Sequence, residues 1–211
     1  MQTAILLYEG FTALDAIGPY ESLANLPKSD TLFVAERPGP VTNELGNLRI
    51  TAEAGLDEVP HPDIVLVPGS PVYAPQLTNT AVLDWLREAD RTSTWTASVC
   101  TGSLILAAAG LLEGRRATTH WSGMAELGEL GAHPTEARYV FDGKYVTAAG
   151  VSAGIDMGLA LAGRIAGDSH ARATQLLMQY DPQPPYDAGT PDKAPAEILA
   201  AARAALAAAA G

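Results

Sequence analysis

Cysteine occurs once in these 211 residues, at Cys100, which excludes an intramolecular disulfide and a cysteine-based zinc cluster and fits a reducing compartment. Cations are also scarce. Lys and Arg number 13 against 24 Asp and Glu, a formal net charge of −11, which argues against a general electrostatic footprint on nucleic acid. No apolar run is long enough to span a bilayer, and the opening M-Q-T-A-I-L-L-Y-E-G lacks the basic start of a signal peptide. A cytoplasmic chain is expected, with no membrane partner and either a small molecule or another protein to bind. The 4 histidines and the carboxylates show no H-E-x-x-H or comparable spacing, so no metal site is expected. No internal repeat or interdomain linker occurs, and a single domain over 1–211 is expected.

What is present is an alternation of short apolar strands and helical stretches. Residues 3–8 and 31–36 read as strands, with a helix over 14–26 between them in which Gly18-Pro19 falls near the start. The looser region 39–55 holds a short strand, L-R-I-T, in a hairpin. The continuous run D-I-V-L-V at 63–67, closed by Pro68-Gly69-Ser70, reads as a central parallel strand, and Val82, Trp85, Leu86 and Ala89 form one helical stripe after it. Further on come a helix over 122–130, a hairpin turning at Asp142-Gly143, a nearly all-apolar helix over 155–165 expected to be buried, and a helix over 169–180. The alanine-rich tail, 195–211, reads as a C-terminal helix, docked or solvated. This alternation predicts an α/β sandwich whose mostly parallel sheet is covered by helices on both faces, with ligands at the carboxyl ends of the strands.

The stretch from Thr96 to Gly114 is the centre of this arrangement. Trp95 to Val99 reads as a strand and Leu104 to Leu112 as a buried helix, which puts Cys100 on a strand-to-helix turn of the nucleophile-elbow kind. There the unpaired amides and the positive end of the helix favour a thiolate, the reactive form. An inert buried cysteine is the competing reading.

Three loops meet the same edge. Asp15, just beyond the first strand, is a candidate proton carrier or simply a helix cap. Thr101 is a candidate hydroxyl donor or a residue back-bonded within its own turn. Backbone amides of Gly69 and Ser70 are natural donors to developing negative charge, and the small-residue loop containing Gly150 and Val151 is expected to approach the site closely. His120, in T-T-H-W, reaches Cys100 only if its loop folds back, and reads as a packed histidine; His61, His133 and His170 have no better context.

The segments S-V-C-T-G-S-L at 98–104, A-A-G-L-L-E-G-R-R-A-T-T-H-W at 108–121, L-D-A-I-G-P at 14–19, V-P-G at 67–69, G-V-S-A-G-I-D at 150–156 and Y-D-P-Q-P-P-Y-D-A-G-T-P-D at 180–192 together resemble the ThiJ/PfpI superfamily, in particular its branch that hydrates isocyanides. That resemblance implies a flavodoxin-like fold, a homodimer, no cofactor, and conversion of an isocyanide to an N-substituted formamide. It implies Cys100 as nucleophile, Asp15 as proton carrier and Thr101 as the residue beside them, with Gly69, Ser70, Gly150 and Val151 as the substrate and oxyanion wall. Ser70 stands where the superfamily often has a second glycine. The threonine after the cysteine departs from the protease-like and deglycase-like branches. It is shared with the sensor domains of AraC-type regulators, so a redox or ligand sensor is an alternative, and a small-carbonyl deglycase or hydrolase a further one.

Overall fold

A computed structural model describes residues 1–210 of the chain. Its strands are β1 (Gln2–Leu6), β2 (Asp30–Ala35), β3 (Gly39–Thr42), β4 (Arg49–Ala52), β5 (Ala54–Gly55), β6 (Ile64–Val67), β7 (Trp95–Val99), β8 (Arg116–Ala117), β9 (His133–Pro134), β10 (Tyr139–Asp142) and β11 (Tyr145–Ala148). Its helices are α1 (Ala13–Leu23), α2 (Thr80–Asp90), α3 (Gly102–Ala108), α4 (Met124–Glu129), α5 (Ala153–Ala166), α6 (Asp168–Leu177) and α7 (Ala196–Ala210). Seven strands make one sheet in the order β10-β11-β7-β6-β1-β2-β5, parallel except for β10. Among the described residues no helix is long and apolar enough to cross a membrane.

The continuous apolar runs lie in the middle of this sheet. All four residues of β6 are buried, β6 pairs with both β1 and β7, and the carboxyl ends of these three strands therefore sit side by side. Parallel strands covered on both faces need apolar side chains on both sides, which is why these runs do not alternate. On α2 the stripe Val82, Trp85, Leu86 and Ala89 is buried as its spacing predicts, and the Asn79 side chain caps the helix by accepting from Val82 N–H.

Four local expectations are corrected. The helix after Cys100 stops at Ala108, because Gly110 adopts φ +81° and a Schellman closure forms, with Gly110 N–H bonded to Ala107 O (2.8 Å) and Leu111 N–H to Leu106 O (3.1 Å). Pro19 lies inside α1 and not at its start; its ring packs on α5 where Gly154 and Gly158 leave room, since a Cβ on Gly158 would come within 2.2 Å of Ser22 Oγ. The hairpin turns at Gly143-Lys144, with Asp142 still paired to Tyr145. Helix α5 is buried only along Met157, Leu161 and their neighbours, while Leu159, Ala160 and Gly163 are half-exposed and line a shallow cleft with Arg138 and Tyr180. The tail does form a helix, and most of α7 is exposed.

Candidate active site

Cys100 sits between β7 and α3 with φ +57°, a left-handed conformation that costs a side-chain-bearing residue about 1–2 kcal/mol. The surroundings hold it there. Its N–H is shared between Ala148 O (3.1 Å) and Ala149 O (3.0 Å), and its carbonyl accepts from Thr119 Oγ1 (2.8 Å) and Ser103 Oγ (3.2 Å). Two glycines make the approach possible. A Cβ on Gly69 would lie 2.5 Å from Thr101 N and 2.9 Å from Cys100 Cβ, and one on Gly102 would lie 2.1 Å from Val67 O.

Asp15 comes to this turn because β1 lies next to β6 and α1 starts directly above them. It is fully buried, and it does not cap its helix: Thr12 occupies that place, while Asp15 Oδ2 accepts the Gly69 N–H at 2.9 Å. Oδ1 has no partner in full hydrogen-bond geometry, although the Cys100 side chain faces the carboxyl closely enough to act on it as one. Burial pushes the Asp15 pKa up to about 7; the Gly69 N–H and Cys100 pull it down and the charge of Glu44 pushes it up. Cys100 is also moved upward, first by burial and then by the Asp15 charge, against the pull of the Thr101 and Val151 N–H groups and the Thr101 side chain. This reverses the expectation that the turn and the helix start favour a resting thiolate. Helix α3 has only seven residues, and its dipole is outweighed by desolvation of a thiol that is 7% exposed.

The amides named from the sequence are brought to the site but engaged differently. Gly69 N–H is bound to Asp15, and Ser70 N–H donates to Thr101 Oγ1 at 2.8 Å, whose hydroxyl returns a bond to Ser70 O at 2.8 Å. Both are therefore committed within the protein, as is the Thr101 hydroxyl. Val151, at φ +22°, turns its N–H toward the thiol, and Gly150 lets the loop pass His120, whose Cδ2 would be 2.6 Å from a Cβ there. The T-T-H-W loop does fold back, but the His120 ring lies tilted against Trp121, with ring centres 5.1 Å apart, and pairs Nδ1 with Ser122 Oγ at 2.7 Å. Burial lowers its pKa. A cavity of about 700 Å³ opens beside the elbow between His120, Trp121 and Met124, Gly150 and Val151, and the segment at 189–192.

Three side chains near the pair escaped the sequence reading. Tyr8, fully buried, donates to Pro68 O at 2.9 Å and is raised by burial and by Asp15, Cys100 and Glu44; Tyr73 donates to Glu126 and is likewise raised, chiefly by burial. Glu44 acts on both Asp15 and Tyr8. The only signal available was Tyr8's place at the end of the first strand, on the ligand-binding edge.

The chain is 40% identical to the isonitrile hydratase of Pseudomonas putida over 203 residues, covering 96% of this chain and 89% of that protein. It is 31% identical to the HTH-type transcriptional regulator CdhR of Pseudomonas aeruginosa over 84% of this chain, which spans about half of the regulator's length (53%). A crystal structure of a ThiJ/PfpI family protein from Pseudomonas syringae superposes with a TM-score of 0.93 at 35% identity, covering 100% of this chain and 90% of that one. The fold, the elbow and these likenesses agree with the match of residues 1–164 to the DJ-1/PfpI family, and the chain belongs to that family.

Proposed function

We propose that the chain is an isonitrile hydratase, adding water to R–N≡C to give R–NH–CHO. The observation that carries this reading is the buried Asp15–Cys100 pair, in which each group is pushed toward its protonated form and the anion of one opposes the anion of the other. Once one proton has left, such a pair shares the remaining one, carried as thiol with carboxylate or as thiolate with carboxylic acid. The second arrangement attacks: the sulfur lone pair bonds to the isocyanide carbon while Asp15 protonates that carbon, giving a thioimidate and a carboxylate. Water then adds to the same carbon, its proton passing through Asp15 to nitrogen. Collapse expels the Cys100 thiolate, forms the carbonyl and returns the hydroxyl proton to Asp15. Every proton and electron pair is restored, so no cofactor is required.

Within this reading Gly69 and Ser70 set the orientation of Asp15 and Thr101, while the Val151 and Thr101 amides face the sulfur as negative charge shifts on and off it. The 700 Å³ cavity beside Val151 is assigned to the R group. A cytoplasmic homodimer goes with this reading, supported by the free cysteine and by Leu176 and Leu177, which are 79% and 82% exposed beside the open face of α5; light scattering that gives a monomer removes the dimer.

The test is turnover of para-nitrophenyl isocyanide, followed by absorbance, for the wild type and Cys100→Ala. Formamide from the wild type and none above background from the variant is the expected result. A wild type that is inert, although a thiol probe labels Cys100 rapidly, sinks the hydratase and brings forward the redox or ligand sensor as the second reading.

A further inference from the structure

The mechanism above gives His120 no task, although this residue lines the cavity assigned to the R group. Its place beside the elbow is set by backbone bonds. Thr119, just before it, donates its hydroxyl to Cys100 O at 2.8 Å, and Ala149, just before Gly150, accepts Cys100 N–H at 3.0 Å. The Cδ2–Nε2 edge of the His120 ring lies against Gly150, where a Cβ would stand 2.6 Å from Cδ2 and 3.4 Å from Nε2. His120 and Gly150 thus meet where the cavity joins the elbow, each one residue from a partner of Cys100.

Ser122 decides which ring nitrogen carries the proton. Its backbone N–H can only donate, and it donates to Nδ1 at 3.4 Å; its hydroxyl lies 2.7 Å from the same nitrogen. Nδ1 is therefore the acceptor of a neutral imidazole, with the N–H at Nε2. Burial, which lowers the His120 pKa, favours that neutral form. Among the described residues Nε2 has no partner, and unlike Asp15 Oδ1 it keeps accessible surface. The neighbouring hydroxyls are committed: Thr118 donates to Ala137 O at 3.1 Å and Thr119 to Cys100 O. The cavity wall thus presents a fixed, neutral donor that nothing in the protein receives.

R–N≡C is linear, so with its carbon at the sulfur and R in the cavity its nitrogen lies at the junction of the two. The isocyanide nitrogen has no free lone pair, whereas the nitrogen of the thioimidate R–N=CH–S has one. We propose that His120 Nε2–H donates to the thioimidate nitrogen and stabilises the negative charge that builds there as water adds. The water oxygen bonds to carbon, the C=N π pair moves to nitrogen, and that pair takes the proton relayed by Asp15. His120 keeps its own proton throughout. The contact is absent in the bound isocyanide and strongest during water addition, so hydrolysis depends on it more than sulfur attack does. This assignment rests on the hydratase reading.

Intact-protein mass spectrometry during a single turnover of para-nitrophenyl isocyanide separates the two halves. His120→Phe keeps a ring beside Trp121 and removes the donor. It is expected to form the Cys100 adduct, one isocyanide heavier than the enzyme, within about threefold of the wild-type rate and to release formamide at least about tenfold more slowly, so the adduct accumulates. His120→Gln places an amide N–H near the position of Nε2 and is expected to recover most of the lost release rate. His120→Asn, one carbon too short to reach, is expected to accumulate adduct as phenylalanine does, and replaces that variant if it fails to fold. Unchanged release by the phenylalanine variant, equal slowing of both halves, or a glutamine variant no faster than the other two overturns the assignment alone. A wild type that forms no formamide overturns the hydratase reading and the assignment with it.

Discussion

Two aspartates, one buried and one largely so, stand at opposite ends of the sheet in opposite surroundings. At the amino ends of the strands, Asp90 closes α2 with its side chain 14% exposed; Oδ1 accepts from Thr96 Oγ1 (2.7 Å) and faces Lys144 Nζ (3.1 Å), and Oδ2 accepts from the Tyr145 hydroxyl (2.8 Å). Ser93 extends this network through Thr96, and Arg115 covers the Tyr145 ring. At the carboxyl ends Asp15 has one amide, one oxygen without a full partner, a thiol and the repulsion of Glu44, and no cation acts on it. A carboxylate supplied with counter-charge and donors joins elements together. The same group denied them holds its proton near neutrality and can move it.

Asp15→Asn tests the second half of that contrast and has the largest expected effect. It keeps an acceptor for Gly69 N–H and cannot carry a proton, so isocyanide turnover should fall by about 10²–10⁴. Stability should move the other way. The folded-state pKa of about 7 lies above the ordinary aspartate value of 3.8, so the contribution of Asp15 is intact below pH 4 and is lost as pH rises through 7. At about 1.36 kcal/mol per unit the loss is on the order of 4 kcal/mol. The variant should therefore match the wild type at pH 4 and exceed it at pH 8 in denaturant unfolding; equal stability at both pH values would mean that Asp15 is not held protonated by burial.

Asp90→Asn sharpens the contrast at the other end. It strips the Lys144 ammonium of its counter-ion and weakens two hydroxyl contacts. Because Lys144 is 30% exposed, the loss should be about 1–3 kcal/mol, less than for a fully buried pair. That corresponds to about 2–4 °C in melting temperature per kcal/mol for a chain of this size, with kcat unchanged below the transition. A loss of kcat without a loss of stability would mean that the two ends are coupled through β7.

The elbow was readable because a strand-length apolar run meets a longer one at a single cysteine, and β7 starts and ends where that pattern puts it. The nearness of Asp15 followed from topology, since parallel strands in the middle of a sheet bring their following loops to one edge. Tyr8 had only its place after the first strand, and Glu44 had no such signal. Their meeting depends on the β3–β4 hairpin folding onto Phe11 through one bridge, a long-range event that no local periodicity records. The direction of the Cys100 shift was misjudged for a related reason: sequence shows a helix start beside the thiol, and only the packed chain shows how deeply both groups are buried. Leu111 and Leu112 extended the apparent α3 because apolar character outlasts the helix, although Gly110 marked its end.

The smallest effect is expected at Thr101. From the sequence it was either a hydroxyl donor to the intermediate or a residue bonded locally, and its hydroxyl is engaged in both directions with Ser70, 31 positions away. If its task is to fix the loop that carries Gly69, then serine, which preserves both bonds, should cost under about 1.5 kcal/mol through the lost methyl and leave kcat within a few-fold. Valine keeps the shape and removes the hydroxyl, leaving the Ser70 N–H and carbonyl buried and unpaired, at about 1–3 kcal/mol. Paired measurement of unfolding and turnover separates the alternatives. A valine variant that loses turnover while keeping full stability would make the Thr101 hydroxyl a participant in the reaction; parallel losses place it with the groups that hold the elbow rigid, on the side of Asp90 and not of Asp15.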